Sequence, residues 1–325
     1  MIDRALDVHI SPERLLEDLR ADVRQGMTAS PKWLSPKYFY DAVGSELFEK
    51  ITELPEYYPT RTERALIQAH AFDIAERTDA PILVELGSGS SDKTRLLLDA
   101  GLKNGALHKY VPQDVSPSAL EGAIEQLARD FPSLELHGIV SDFTDTLQNL
   151  PADGRRTIAF LGGTLGNLIP EERAVFLADV ASALVDGEFL LLGVGLVIDE
   201  DVLVPAYDDA AGVTAQFNRN VLSVLNSSLG ANFDPQQFDH VALWNEQDEW
   251  IEMRLRATTE QQVHIADLDL DVTFEQGEDL RTEISAKFRR AGIDRELVDA
   301  GFRIDEFWTD PQERFALILA RRVDA

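Results

Sequence analysis

The chain has 325 residues, and its 58 acidic against 30 basic side chains give a net charge of −28, which repels nucleic-acid phosphates and anionic membranes; no cluster of Lys and Arg offsets it. There is no cysteine, so disulfides and thiolate metal centres are excluded, and the six histidines (His9, His70, His108, His137, His240, His264) make no metal-ligand spacing, so no metal is expected. No apolar run approaches the roughly 18–20 residues of a membrane span. The charged opening stretch MIDRALDVHISPERLLEDLR is not a signal peptide, so a soluble cytoplasmic protein, long enough for two domains, is expected.

The spacing predicts a first helix over 11–25, with Ser11 as cap, Pro12 in the first position and Leu15, Leu16 and Leu19 as its apolar stripe. Residues 28–36, with Pro31 and Pro36, read as loop. Helical patterning returns across Phe39, Val43, Leu47, Phe48 and Ile51. In LPEYYPTRTE, residues 54–63, two prolines flank Tyr57 and Tyr58, and regular helix is not expected there. The two tyrosines either wall a pocket or pack in a core. A helix over 60–75 then leads into PILVELGSGSS.

That stretch, residues 81–91, is an apolar strand that runs into Gly87 and Gly89 and is followed by a helix over 92–100. Strand, glycine turn and helix open a doubly wound nucleotide fold, although a lone G-x-G also occurs in loops that hold nothing. The dinucleotide fingerprint needs a third glycine where this chain has Asp92, whose charge repels a pyrophosphate, and no P-loop is present. With Glu85 two positions before the loop, a neutral or cationic ligand fits better. S-adenosylmethionine (SAM), which carries a sulfonium and an ammonium, meets that description.

Beyond the loop, strand and helix signals alternate, which indicates a mostly parallel sheet. Strands are predicted at 110–115, 136–140, 157–161 and 188–196, with a helix over 170–185. Asp114 ends the second strand, where such folds bind ribose hydroxyls; its alternative role is to cap the helix that starts near Pro117. Gly87, Asp114, Asp142, Phe143, Gly162 and Asn167 all fall at carboxyl ends of strands, where open sheets bind ligands. From about 199 the rhythm changes to a helix over 218–229 and strand-like runs over 241–275. Asp267, Asp269, Asp271 and Glu278 imitate a calcium loop, but Val272 stands where glycine is required, and Leu268, Leu270, Val272 and Phe274 alternate as in a half-buried strand. A helix over 294–300 and strands near 302–309 and 314–321 close the chain as a hairpin added to the sheet.

Several stretches together are specific: KYFYDAVGSELFEKITELPEYYPTRTE, VELGSGSSDKTRLLLDA, FLGGTLGNL, AYDDAAGVTAQFNRNVL, WIEMRLRA and RTEISAKF. Through them the chain resembles the SAM-dependent histidine Nα-methyltransferases of ergothioneine biosynthesis, from about residue 30 to about residue 320. The resemblance implies an α/β fold: a Rossmann-like class I SAM methyltransferase sheet with helices on both faces (62–198 and 286–325), plus a mixed α+β substrate-binding domain (1–61 and 199–285). It implies SAM on Gly87, Lys93, Asp114, Asp142 and Phe143, with histidine on Tyr57, Gly162, Asn167, Tyr207, Met253, Glu283 and Ser285. Tyr40 or Tyr57 would orient the reacting nitrogen. Asn167 and Tyr207 offer donors to a carboxylate, and Glu283 with Ser285 offers a partner to each imidazole nitrogen. Without the resemblance, Glu283 reads as a surface salt-bridge residue and Met253 as a core filler. The family pattern often has Ser at Gly163, Asp at Gly195 and Lys at Ile198, so this chain departs from it there. The implied reaction is trimethylation of the α-amino group of L-histidine; a monomer is expected. The rivals are the same chemistry on another aromatic amino acid or on a partly methylated one only, and a SAM-binding regulator without catalysis.

Overall fold

The apolar runs ILVEL and FLLLGVG are strands in which every residue is buried, as the interior of a parallel sheet requires. The computed structural model describes residues 4–89, 91, 93–143 and 147–324. The reading of Asp92 as the residue in place of a third glycine lies outside them. The elements in chain order are β1 (Arg4–Val8), α1 (Pro12–Thr28), β2 (Lys32–Trp33), α2 (Ala42–Thr52), α3 (Tyr58–Thr78), β3 (Ile82–Leu86), α4 (Thr94–Asn104), β4 (Lys109–Asp114), α5 (Pro117–Asp130), β5 (Glu135–Val140), β6 (Arg156–Phe160), α6 (Pro170–Ala183), β7 (Phe189–Gly195), α7 (Glu200–Leu203), α8 (Val213–Leu229), β8 (Phe238–Asn245), β9 (Trp250–Ala257), β10 (Gln261–Ile265), β11 (Leu270–Phe274), β12 (Asp279–Ala286), α9 (Arg290–Asp299), β13 (Phe302–Thr309) and β14 (Phe315–Arg322). They form two units: residues 1–11, 61–196 and 288–325, and residues 12–60 and 197–287.

The first unit is built on an eight-stranded sheet of order β1-β5-β4-β3-β6-β7-β14-β13. The strands from β1 to β7 pair in parallel, while β14 runs antiparallel to both β7 and β13. The order reverses at β3, so the crevice beyond its carboxyl end is the topological switch point where open α/β sheets bind ligands. Successive strand residues face opposite sides of a sheet. Ala159 and Leu161 join a core cluster with Leu66 and Ile67 of α3 and Leu97 and Leu98 of α4. Phe160 between them packs its ring 4.6 Å from Phe176 of α6. Helices therefore cover both faces, in a Rossmann-like doubly wound α/β arrangement.

The second unit carries a four-stranded sheet, β2-β12-β9-β8, and a β10–β11 hairpin. Its core gathers Val23 and Met27 of α1, Phe39, Phe217, Val221 and Leu225 of α8, Leu255 of β9 and Phe274 of β11.

Three expectations change. Regular helix begins at Tyr58, inside the stretch expected to exclude it. Pro59 falls in the first turn, where a missing N–H leaves no helical bond unmade and the fixed φ suits the helix. Residues at the start of the chain do not all sit with the second unit: β1 pairs with β5, Arg4 opposite Leu136 through Val8 opposite Val140. The strand expected from Leu268 begins at Leu270, because Ala266–Leu268 is a 3-10 turn and Asp269 takes φ +46° before β11.

Candidate active site

On the first unit the site begins with the turn after β3. Gly87 and Gly89 have φ of +67° and +49°, a region that residues with a Cβ rarely enter, and a Cβ added to Gly87 would lie 4.0 Å from the Phe143 ring. Asp114, at the end of β4, holds this turn: its Oδ2 accepts from Gly89 N–H at 3.0 Å and its Oδ1 from Ser116 N–H at 3.0 Å. The cap of α5 is Ser116, whose Oγ accepts from Ala119 N–H, so Asp114 is released from that duty. Burial pushes the Asp114 carboxyl upward, against backbone N–H groups of Ser116 and Gly89 that pull it down. Asp142 follows β5, and Phe143 packs edge-on to Phe160 and Phe176, at 5.1 and 5.8 Å. Among the described residues, the buried Ser88 Oγ in the turn and Gln113 Oε1 beside it have no hydrogen-bond partner. Two orphaned polar atoms at the switch point fit a polar ligand there.

Beneath the turn lies a buried cluster. Glu85 accepts from the Thr94 hydroxyl at 2.6 Å and from Tyr110, whose hydroxyl also meets Ser91 Oγ at 2.9 Å. Burial raises the Glu85 carboxyl to about 7, although Thr94, Tyr110 and Lys93 all favour its charged form.

A residue not singled out in the sequence gathers three others. Glu63 of α3 has no exposed surface; its carboxylate pairs with Lys93 and accepts the Gly162 N–H at 2.7 Å. Gly162 and Gly163 have φ of +82° and +73° and begin the 3-10 turn that carries Asn167. A Cβ on Gly193 would stand 2.0 Å from Glu63 Oε1, so β7 must have glycine there for the carboxylate to fit.

On the second unit the residues collect on β12 and β9. Glu283, Ser285 and Lys287 alternate along one face, and Met253 lies directly opposite Glu283. Tyr207 O–H and Ser285 Oγ are 2.8 Å apart, and the rings of Tyr57 and Tyr207 meet edge-on at 6.2 Å. Tyr40 is 45% exposed, with its ring 5.5 Å from Phe48. Burial pushes the Tyr57 phenol well up, helped by Tyr207, Tyr40 and Glu283, so it stays protonated at neutral pH. Tyr207 is raised in the same way. Behind Tyr207, His240 Nε2 donates to its carbonyl at 2.8 Å and Nδ1 accepts from Asn218, which accepts in turn from the Thr282 hydroxyl. That chain fixes His240 in the neutral Nε2–H form and holds the Tyr207 backbone.

A family model of SAM-dependent, histidine-specific methyltransferases matches residues 19–322. The chain belongs to this family. It is 50% identical to a histidine N-alpha-methyltransferase of Mycolicibacterium smegmatis over 97% of this chain and 98% of the relative. It is 49% identical to one of Mycobacterium tuberculosis over 94% of this chain and 95% of the relative. An ergothioneine biosynthesis protein 1 of Schizosaccharomyces pombe is 29% identical over 74% of this chain and 32% of that protein.

Of the family departures, the structure accounts for two in part. Ile198 packs at the edge of the second unit's core. Gly163 sits at a left-handed φ, where serine is strained. Glu63, Lys287 and the Thr282–Asn218–His240 chain of this methyltransferase escaped the sequence. For Lys287 a signal existed: the period-2 face of E-x-S continues to it. For Glu63 and His240 none did, because their partners are distant in the chain. Among the described residues no group of His, Asp or Glu is placed to hold a metal, and no helix is long and apolar enough to cross a membrane.

Proposed function

We propose that this methyltransferase moves three methyl groups in succession from SAM to the α-nitrogen of L-histidine, giving the trimethylated betaine, hercynine, as the first step of ergothioneine biosynthesis. The observation that carries the reading is the face of β12: Glu283 opposite Met253, with Ser285 two residues on and bonded to Tyr207. A neutral imidazole has one N–H and one bare nitrogen; a carboxylate takes the first and a hydroxyl serves the second. Leaving either unpaired when buried costs about 1–3 kcal/mol, which is how such a site rejects rings of similar size.

SAM supplies a methyl group already activated on a sulfonium. Gly87 lets it approach the backbone, Asp114 accepts its ribose hydroxyls with lone pairs left over from Gly89 and Ser116, Asp142 and Phe143 take the adenine, and Lys93 reaches its carboxylate end. Asn167 donates to the substrate carboxylate and Gly162 borders the amine; Tyr207, whose hydroxyl lies 2.8 Å from Ser285 Oγ, gives its proton to that hydroxyl rather than to the carboxylate. The α-nitrogen must be neutral to attack. Tyr57, protonated through burial, orients that nitrogen by hydrogen bonding and removes no proton, with Tyr40 as its neighbour. The ammonium loses its proton to solvent, and alignment of nitrogen, methyl and sulfur supplies most of the acceleration, on the order of 7–11 kcal/mol at best. We read the enzyme as a cytoplasmic monomer acting on a small molecule.

Mass spectrometry of histidine, tyrosine and tryptophan incubated with SAM and the protein tests this. Mono-, di- and trimethylated histidine appearing in sequence is expected. Tryptophan or tyrosine as the better substrate would replace histidine, and SAM binding without any transfer would make the protein a regulator. Glu283→Ala should weaken histidine far more than SAM; equal losses by calorimetry would remove Glu283 from the substrate site.

A further inference from the structure

Lys287 ends the strand face that carries Glu283 and Ser285, and its side chain is almost wholly buried. Its Nζ donates to Tyr207 Oη at 2.8 Å and to Ser285 Oγ at 2.7 Å, and it lies 4.8 Å from the centre of the Tyr207 ring. With the 2.8 Å contact between the two hydroxyls, the three polar atoms form a closed triangle. Burial disfavours the ammonium, while Tyr58 and Glu283 favour it. A methionine would fill the same space with no charge to desolvate, so packing alone gives no reason for a lysine here.

Counting protons shows what the lysine does. The ammonium brings three and the hydroxyls one each. Two ammonium protons go to the hydroxyl oxygens, and one hydroxyl donates to the other. A single hydroxyl proton is then left to point out of the triangle. The phenol is the more acidic hydroxyl and the better donor, so Tyr207 donates to Ser285. The Ser285 oxygen thus accepts from both Lys287 and Tyr207, and its own proton can only be given away.

We infer that Lys287 is a positioning residue that fixes Ser285 as a hydrogen-bond donor, so that the strand face accepts a ring presenting one N–H to Glu283 and one bare nitrogen to Ser285. The ammonium also disfavours a second positive charge on that ring. Selection of the neutral imidazole then depends on a side chain that does not itself touch the ring. This inference rests on the histidine reading above.

The test is a double-mutant cycle on the full chain. Histidine affinity is measured by calorimetry in the presence of S-adenosylhomocysteine (SAH) for wild type, Lys287→Met, Ser285→Ala and the double variant. Lys287→Gln serves as a second probe that keeps a polar stem should the methionine variant fail to fold. Lys287→Met or Lys287→Gln is expected to weaken histidine about 10- to 100-fold, with SAH affinity within twofold of wild type. Adding Ser285→Ala to either is expected to change histidine affinity less than threefold, because Lys287 acts through Ser285. Histidine affinity within threefold of wild type in the lysine variants, losses that multiply in the double variant, or SAH affinity falling in step would each overturn the inference. A wild-type protein that neither binds nor methylates histidine would fail the proposed function instead, and the two failures are read from different samples.

Discussion

Glu63→Gln removes one charge from the buried carboxylate that Lys93 and Gly162 share while keeping its shape. The amide oxygen can still accept the Gly162 N–H, now at 2.7 Å from the carboxylate, but the amide nitrogen can only meet Lys93 donor to donor. Lys93 retains 23% of its side-chain exposure and Glu63 none, so water screens the pair from one side only. A hydrogen bond to a charged group contributes about 1.5–3 kcal/mol, and the part-exposed partner argues for about 2. For a domain of 150–250 residues that corresponds to a fall in Tm of about 4–8 °C. Glu63→Ala also strands the Gly162 N–H and opens a hole, adding about 1–3 kcal/mol. Thermal unfolding followed by circular dichroism should therefore rank wild type above Glu63→Gln above Glu63→Ala, and titration with SAH should weaken in the same order. If the alanine variant melts with the glutamine variant, the carboxylate is not the shared anchor described.

Four further outcomes follow from the same geometry. Gly193→Ala places a methyl 2.0 Å from Glu63 Oε1 and should cost about 1–3 kcal/mol in urea unfolding, more than an alanine at the open Gly292. Gly163→Ser, with room for its Cβ 3.7 Å from Phe315 but at φ +73°, should cost about 1–2 kcal/mol from backbone strain alone; an unchanged midpoint would show that the turn relaxes. Glu85 titrates at about 7 in the native protein and near ~4.3 when unfolded, so between those values the native state alone holds the proton. Stability should fall as pH rises through that window and level off above it, and Glu85→Gln should flatten the slope. His240 is held below its ordinary ~6.5, chiefly by burial, so its contribution is lost as pH falls beneath that value; His240→Asn should show a shallower acid limb than wild type in unfolding midpoints from pH 7.5 to 5.5.

The sheet was legible where strands are buried on both faces, because such strands are short apolar runs and their carboxyl ends carry the glycines and acids that ligands need. In the closing hairpin β14 was legible for the same reason, while β13, at the edge of the sheet, is only partly buried. The start of α3 was misjudged because a proline forbids helix only beyond the first turn, and only the structure shows which turn Pro59 occupies. The attachment of β1 to β5 was hidden because its partner lies about 130 residues away and the strand is too short to show a period. In the site, Asp114 had two readings from the sequence; Ser116 takes the cap, which removes one of them and leaves the Asp114 carboxylate on the Gly89 and Ser116 N–H groups. Glu63 is one acid among 58, and nothing local distinguishes it from a surface glutamate. Its importance comes from Gly162 and Gly193, contacts that no periodicity records.

The position of β14 beside β7 has a consequence for synthesis. FLLLGVG is made about 120 residues before the strand that covers its outer edge. At roughly 5–20 residues per second, a ribosome leaves that edge open for about 6–24 s. During that interval β7 offers a row of unpaired N–H and carbonyl groups on an apolar strand, the surface that draws other chains into register. Slowing translation after residue 196, or stopping the chain before residue 315, should drive the nascent protein into aggregates or onto chaperones. The finished molecule carries no trace of this hazard, since its last strand closes the edge.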